Sequence, residues 1–123
     1  MFDLANSFKT YDKIIVAAPI WDLSFPSILK IYFENISVSN ITFRYESSGL
    51  VGLAKAKEFI YLATAGGFLD EFNLGYLYTK DLFKMFGINN SKSYILNSLD
   101  IDINKKEEVF NEKLNELFKK IEG

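Results

Sequence analysis

Ile14-Ile15-Val16-Ala17-Ala18 is an apolar run that breaks at Pro19-Ile20-Trp21-Asp22-Leu23-Ser24-Phe25-Pro26. Phe59-Ile60-Tyr61-Leu62-Ala63 is a second, and it breaks at Thr64-Ala65-Gly66-Gly67. Short apolar runs bounded by Pro or Gly read as buried strands. Strands are expected at residues 13–18 and 58–65. Neither alternates polar with apolar, so the first is expected to be buried on both faces, as parallel strands are.

Helical spacing of apolar residues fills the intervals. Leu4, Phe8 and Tyr11 predict a short helix over residues 3–11. Ser24 as N-cap and Pro26 in the first turn open a second helix, whose apolar face is Ile28, Leu29, Tyr32, Phe33 and Ile36. Residues 42–48 read as an irregular excursion, with Gly49 and Gly52 as turn points. A third helix is expected over residues 74–86, stopped by Gly87, and a third strand over 93–97. Asn104 and Glu107 resemble a capping box opening a last helix, with Val109, Phe110, Leu114, Leu117, Phe118 and Ile121 on one stripe. The alternation predicts an α/β fold: a parallel sheet with right-handed crossovers and helices on both faces, in one domain over residues 1–123.

Composition narrows the chemistry. The chain has 123 residues, no His and no Cys. That removes imidazole triads, thiol nucleophiles, disulfides and the usual zinc sites. The net charge is -2 and the basic residues are scattered, so no stripe exists to hold nucleic acid. No apolar stretch approaches the ~20 residues of a membrane helix, and the N-terminus lacks the positive start of a signal peptide. A soluble, cytoplasmic setting is expected. The aromatic share of 16% exceeds what turns and surface need, and suits core or a ring-stacking site.

In open parallel sheets ligands bind beyond the carboxyl ends of the strands. Thr64-Ala65-Gly66-Gly67 offers a hydroxyl and unobstructed backbone N–H groups there. Ile20-Trp21-Asp22-Leu23 offers flat apolar surface and further donors. Taken singly, Gly66-Gly67 reads as a turn and Trp21 as core. Taken together they suit the edge and face of a planar heterocycle. Asp100, Asp102, Asn104 and Asn111 have the look of a calcium loop, but Lys105 stands where Gly is needed and Asn111 where Glu is needed. Asp70 and Glu71 are a candidate acid–base pair, though adjacent loop residues need not face one site.

Pro19-Ile20-Trp21-Asp22-Leu23-Ser24-Phe25-Pro26, Leu29-Lys30, Thr42-Phe43-Arg44-Tyr45, Gly52-Leu53 and Gly66-Gly67, in this order, resemble the FMN-dependent NADH-azoreductases. These are flavodoxin-like quinone reductases, sometimes labelled acyl carrier protein phosphodiesterases. The resemblance implies a homodimer with FMN at its interface. NADH reduces the flavin, which then reduces a quinone or azo compound, a small planar electron acceptor. It places Pro19, Ile20, Trp21, Asp22 and Leu23 along the isoalloxazine, and Thr64, Ala65, Gly66 and Gly67 at its pyrimidine side. Tyr45 would cover the other subunit's substrate pocket, and Met85 stands where relatives place a pocket aromatic. The flavin carries the chemistry, so no catalytic side chain and no metal is expected. A hydrolase, as the phosphodiesterase label would suggest, fits poorly with a chain lacking His and Cys.

Two departures from the family carry expectations. Asp22 replaces the usual Asn, and a carboxylate neither donates as an amide does nor favours a reduced, anionic flavin. The family also begins with a strand, a phosphate-binding loop, a helix and a second strand, and this chain starts after them. A flavodoxin-type sheet ordered 2-1-3-4-5 is then truncated to about three strands with flanking helices. Losing roughly four charge-assisted hydrogen bonds at ~1.5 kcal/mol each would weaken FMN by about 6 kcal/mol, so binding is expected to be weak or absent. The first strand becomes an apolar edge that another copy or another segment must cover. The alternative to an enzyme is a non-catalytic subunit that associates through that edge.

Overall fold

The computed structural model describes residues 1–66, 73–96 and 106–122. A helix, α1 (Asp3–Thr10), leads into β1 (Ile14–Pro19) and then α2 (Ser27–Ile36). A hairpin of β2 (Phe43–Glu46) and β3 (Gly49–Gly52) follows. Then come β4 (Glu58–Thr64), α3 (Leu74–Met85), β5 (Asn90–Leu96) and α4 (Lys106–Glu122). The sheet is parallel with order β1-β4-β5. Ile14 lies opposite Phe59, which lies opposite Ser91, and Pro19 lies opposite Thr64, which lies opposite Leu96. The expected α/β architecture and its three parallel strands are therefore present.

The core sits on one face of this sheet. Ile14, Val16, Phe59, Tyr61 and Ala63 point into it and meet Phe8 of α1, Phe33 and Ile36 of α2, and Phe83 of α3. Phe83 is the hub, with ring centroids 5.3 Å from Phe8, 5.6 Å from Phe33 and 4.8 Å from Phe59, all edge-on. Edge-to-face packing adds roughly 0.5–1.5 kcal/mol per pair beyond area burial. Thr42 is fully buried, and its hydroxyl donates to the Ile36 carbonyl at 2.6 Å, tying the end of α2 to the start of the hairpin. α4 packs along β5, with Leu117 buried and Phe118 exposed.

Several expectations need correction. β1 is buried on one face only: Ile15 is 63% exposed and Ala17 is exposed, whereas Ile14, Val16 and Ala18 are buried. Exposure on the second face falls inward, since Ile60 and Leu62, the register partners of Ile15 and Ala17, are half-buried. Apolar composition marks a strand as able to be covered on both sides, and the neighbours decide whether it is. Residues 42–48 are not irregular, because β2 pairs antiparallel with β3 from Phe43 opposite Gly52 to Glu46 opposite Gly49. Gly49, with φ 124, is the turn glycine, whereas Gly52 is a strand residue pressed against the Gly87 backbone. β5 starts at Asn90, three residues before the expected Ser93, because its backbone pairs with β4 whatever the polarity of Asn90, Ser91 and Lys92. Ser24 does not cap α2. Its backbone bonds to Trp21 instead, and Pro26 precedes the helix without a side-chain cap. Gly87 does stop α3 in the left-handed region, at φ 89. The capping residue Asn104 lies outside the described residues.

Candidate functional site

The two expected loops meet at the carboxyl end of the sheet. Pro19 and Thr64 are register partners, and the Ile20 N–H donates to the Thr64 carbonyl at 2.7 Å, so pairing continues one residue past the strands. The chain then reverses. Trp21 N–H donates to the Ser24 carbonyl at 2.8 Å and Ser24 N–H returns to the Trp21 carbonyl at 3.1 Å. Between them Asp22 and Leu23 both sit left-handed, at φ 51 and φ 70. Two consecutive left-handed residues make the tight turn usual for Asn-Gly pairs. Asp tolerates that region, but Leu is strained there. Strain of this kind costs on the order of 1–3 kcal/mol and persists where the surroundings over-determine it.

This turn displays what a planar ring needs. Trp21 is 62% exposed and Leu23 is also exposed. The Asp22 and Leu23 amides donate to no acceptor among the described residues. Thr64 is half-buried, Ala65 is buried with its N–H on the Leu96 carbonyl at 2.9 Å, and Gly66 is half-buried. The structure therefore brings Pro19, Ile20, Trp21, Asp22, Leu23, Thr64, Ala65 and Gly66 to one end of the sheet. Gly67, Asp70, Glu71, Asp100, Asp102 and Asn104 lie outside the described residues, and Asn111 is exposed on α4. Among the described residues there is no cluster of His, Cys, Asp or Glu that could hold a metal.

Tyr45 and Met85 are not part of that cluster. Met85 ends α3, where the chain turns through Gly87 into β5 at Asn90, opposite Glu58. That is the amino end of the strands. Tyr45 is 75% exposed on the hairpin, its ring against Phe43 at 5.6 Å, and Phe43 stacks on Phe86 next to Met85. These two residues lie around the Phe43–Phe86 stack rather than beside the Trp21 turn, and the resemblance expects Tyr45 over another subunit's pocket.

The entry to α3 completes the upper end, and composition alone did not reveal it. Asn73 Nδ2 donates to Ser93 Oγ at 2.7 Å, and the Tyr76 hydroxyl meets Ser91 Oγ at 2.7 Å, pinning the first turn of α3 over β5. Gly75 lies on the Tyr61 hydroxyl and beside Phe25, so that a Cβ there would overlap the hydroxyl. The only hint in the sequence was a glycine inside a helical pattern. Burial pushes the Tyr61 hydroxyl up to about 12. An unfolded tyrosine titrates near 10, so the fold favours the neutral phenol. Its contribution to stability is complete below pH 10 and is lost as pH rises from there toward 12. An ultraviolet titration should show tyrosinate appearing late from this residue, and Tyr61→Phe should remove that late step. A titration unchanged in the variant would reject the assignment.

Residues 3–121 match the family model of the flavodoxin-like fold. The chain belongs to that family. Its flavodoxin-like relatives include the FMN-dependent NADH:quinone oxidoreductase of Clostridium perfringens (strain SM101 / Type A), 41% identical over 108 residues, which are 85% of this chain and 54% of that protein. The FMN-dependent NADH:quinone oxidoreductase of Coprothermobacter proteolyticus is 37% identical over 107 residues, 80% of this chain and 53% of that protein. Among solved structures, azoreductase from Bacillus anthracis str. Sterne superposes with a TM-score of 0.75 at 26% identity, covering 92% of this chain and 57% of that one. The flavodoxin-like chain thus spans about half the length of the curated relatives it matches. Among its described residues no helix is long and apolar enough to cross a membrane.

Proposed function

We propose that this chain is one flavodoxin-like domain serving FMN-dependent, NADH-linked reduction of quinones or azo compounds, as a cytoplasmic homodimer. The observation that carries the reading is the Trp21–Ser24 turn beside Thr64–Gly66, locked by the Ile20 to Thr64 bond at 2.7 Å. The relatives' names, FMN-dependent NADH:quinone oxidoreductase and azoreductase, supply the chemistry. Bound FMN would accept a hydride from NADH and pass two electrons to the acceptor. The chain's own part is placement. Trp21 and Leu23 give the ring an apolar wall, the Asp22 and Leu23 amides are donors to its edge, and the Thr64 hydroxyl and Gly66 approach its other side. The left-handed turn is set before any ligand arrives, so little ordering entropy is lost on binding.

The homodimer rests on two features. Ile28 and Ile31 of α2 and Leu74 and Leu77 of α3 are exposed on helices that both start at the site end. Tyr45 lies by the Phe43–Phe86 stack rather than beside the Trp21 turn, and the resemblance expects it over another subunit's pocket. The second reading, a non-catalytic subunit, is favoured by the uncovered edge of β1.

The test is spectroscopic. Purified chain titrated with FMN should give a shifted flavin spectrum, and NADH should bleach it until a quinone is added. A chain that ignores FMN at high micromolar concentration would sink the enzyme reading and leave the subunit. Asp22→Asn keeps a residue that tolerates the left-handed region, restores an amide donor and removes a negative charge. It should tighten FMN about tenfold, the equivalent of ~1.4 kcal/mol, and raise the flavin potential. If both quantities stay put, Asp22 has no part in flavin binding.

A further inference from the structure

Gly75 has no conformational need to be glycine. It sits in the first turn of α3, and its φ is not positive. Glycine is the poorest helix former after proline, so space has to explain its presence. A Cβ there would overlap the Tyr61 hydroxyl, come within 3.1 Å of the Phe25 ring at Cδ2 and lie 3.4 Å from the Phe25 backbone N. The hydroxyl has no room to swing aside, because Tyr61 is buried with its ring against Tyr76 at a centroid distance of 5.9 Å. The fully buried Thr79 hydroxyl donates to the Gly75 carbonyl at 2.7 Å and holds this part of the helix in place.

Phe25 is the link to the site. It follows Ser24 directly, at the foot of the left-handed turn, and precedes Pro26 and α2. Its ring lies edge-on to Phe33 at 5.3 Å and to Tyr78 at 5.5 Å, so α2 and α3 fix its place rather than the turn itself. Tyr61 belongs to β4, the strand that ends in Thr64. Gly75 thus faces the supports of both halves of the site. The same first turn of α3 is tied to β5 through Asn73 on Ser93 and Tyr76 on Ser91. It cannot retreat from Tyr61 and Phe25 without straining those bonds.

We propose that Gly75 is a positioning residue for the Trp21–Ser24 turn: its bare Cα lets α3 seat against Tyr61 and Phe25, and that seat fixes where the turn holds a planar ring. The functional part of this rests on the flavin reading of the turn. The turn is costly on its own, with Asp22 and Leu23 left-handed at φ 51 and φ 70. Such conformations persist where the surroundings over-determine them. The reciprocal Trp21 and Ser24 bonds close the turn but do not aim it at Thr64. Its entry is anchored by the Ile20 N–H on the Thr64 carbonyl at 2.7 Å, and its exit by the seat of Phe25. A Cβ at position 75 displaces the exit alone and tilts Trp21, Asp22 and Leu23 about the Ile20 bond. Groups that hold a ligand must be placed within roughly 0.5 Å, so such a tilt reaches binding without touching the ligand.

Trp21 is the chain's one tryptophan, so its fluorescence reports on the turn directly. Gly75→Ala should shift Trp21 emission and its quenching by acrylamide in the folded protein. It should also speed amide exchange at Trp21 and Ser24 at least tenfold and weaken FMN at least tenfold. Exchange at Ile88, whose N–H donates to the Phe83 carbonyl at 3.0 Å past the other end of α3, should stay as it was. A role in stability alone would speed all three amides together. Tyr61→Phe removes the oxygen that the Cβ would overlap, so adding it to Gly75→Ala should restore Trp21 emission and most of the FMN affinity. Phe25→Leu shortens the link without any overlap, and should reproduce the Trp21 change should Gly75→Ala fold poorly. Unmoved emission in both single variants, equal speeding at all three amides, or no recovery in the double variant would each overturn the proposal. The outcomes also separate it from the flavin reading. FMN bound equally by the parent chain and Gly75→Ala, with Trp21 unmoved, sinks this inference alone, whereas a Trp21 response in a chain that never binds FMN sinks only the flavin reading.

Discussion

Phe83→Ala should cost about 3–5 kcal/mol, the range for emptying a buried aromatic site. Phe83 has no exposed surface, and its ring meets Phe8, Phe33, Phe59 and Phe86 at centroid distances of 5.3, 5.6, 4.8 and 5.9 Å. Those four rings come from α1, α2, β4 and the end of α3, so one truncation loosens three helices and the central strand together. Collapse into the cavity is resisted, because each neighbour also packs on another ring: Phe8 on Phe86, Phe33 on Phe25 and Phe59 on Tyr76. Domains are stable by only about 5–15 kcal/mol, and a sheet with an apolar free edge belongs at the lower end. A urea melt should show the midpoint falling sharply with the slope unchanged. A loss below about 1.5 kcal/mol would mean that the helical layer is held from elsewhere.

The sequence made the middle of the sheet legible, and for a physical reason. Ile14 to Ala18 and Phe59 to Ala63 are continuous apolar runs, each followed closely by a residue that marks a strand end, Pro19 as the last residue of β1 and Gly66 just beyond β4. The loop cluster followed from the rule that parallel strands present their carboxyl ends together. Gly87 was legible because only glycine sits easily at φ 89. What failed were properties set by neighbours. The exposure of Ile15 depends on what covers the second face, and nothing in Ile-Ile-Val-Ala-Ala says that. Asn90, Ser91 and Lys92 pair through backbone alone, so their polar side chains hid the start of β5. Asp22-Leu23 lacks the glycine that would announce a left-handed turn, and the turn is held by the reciprocal Trp21 and Ser24 bonds instead. Resemblance put Tyr45 over the other subunit's pocket and Met85 in a pocket, and in this chain Met85 ends α3 while Tyr45 packs on Phe43, which stacks on Phe86.

Gly52→Ala should cost at least about 3 kcal/mol, beyond the ordinary run of point mutations. In most strands a glycine replaced by alanine gains some stability by restricting the unfolded chain. Here a Cβ would fall on the backbone of Phe86 and Gly87, which has no rotamer to yield. The obstacle is space rather than conformation, whereas Gly49 has open space around it and a φ of 124 that side chains rarely adopt. The pair therefore separates two causes within one hairpin. Gly49→Ala carries only local strain, about 1–3 kcal/mol, and leaves the base of the hairpin seated. Gly52→Ala lifts the base away from α3 and breaks the Ala54 N–H bond to the Phe86 carbonyl, 3.0 Å in the intact chain. Phe43 then loses its stack on Phe86, and Tyr45 loses the platform that aims it outward. Thermal melts should rank Gly52→Ala well below Gly49→Ala, and in a homodimer the first variant alone should strip the tyrosine's contribution from the other copy's pocket. Equal melting temperatures for the two variants would show that the close approach of Gly52 to Gly87 is not what seats the hairpin.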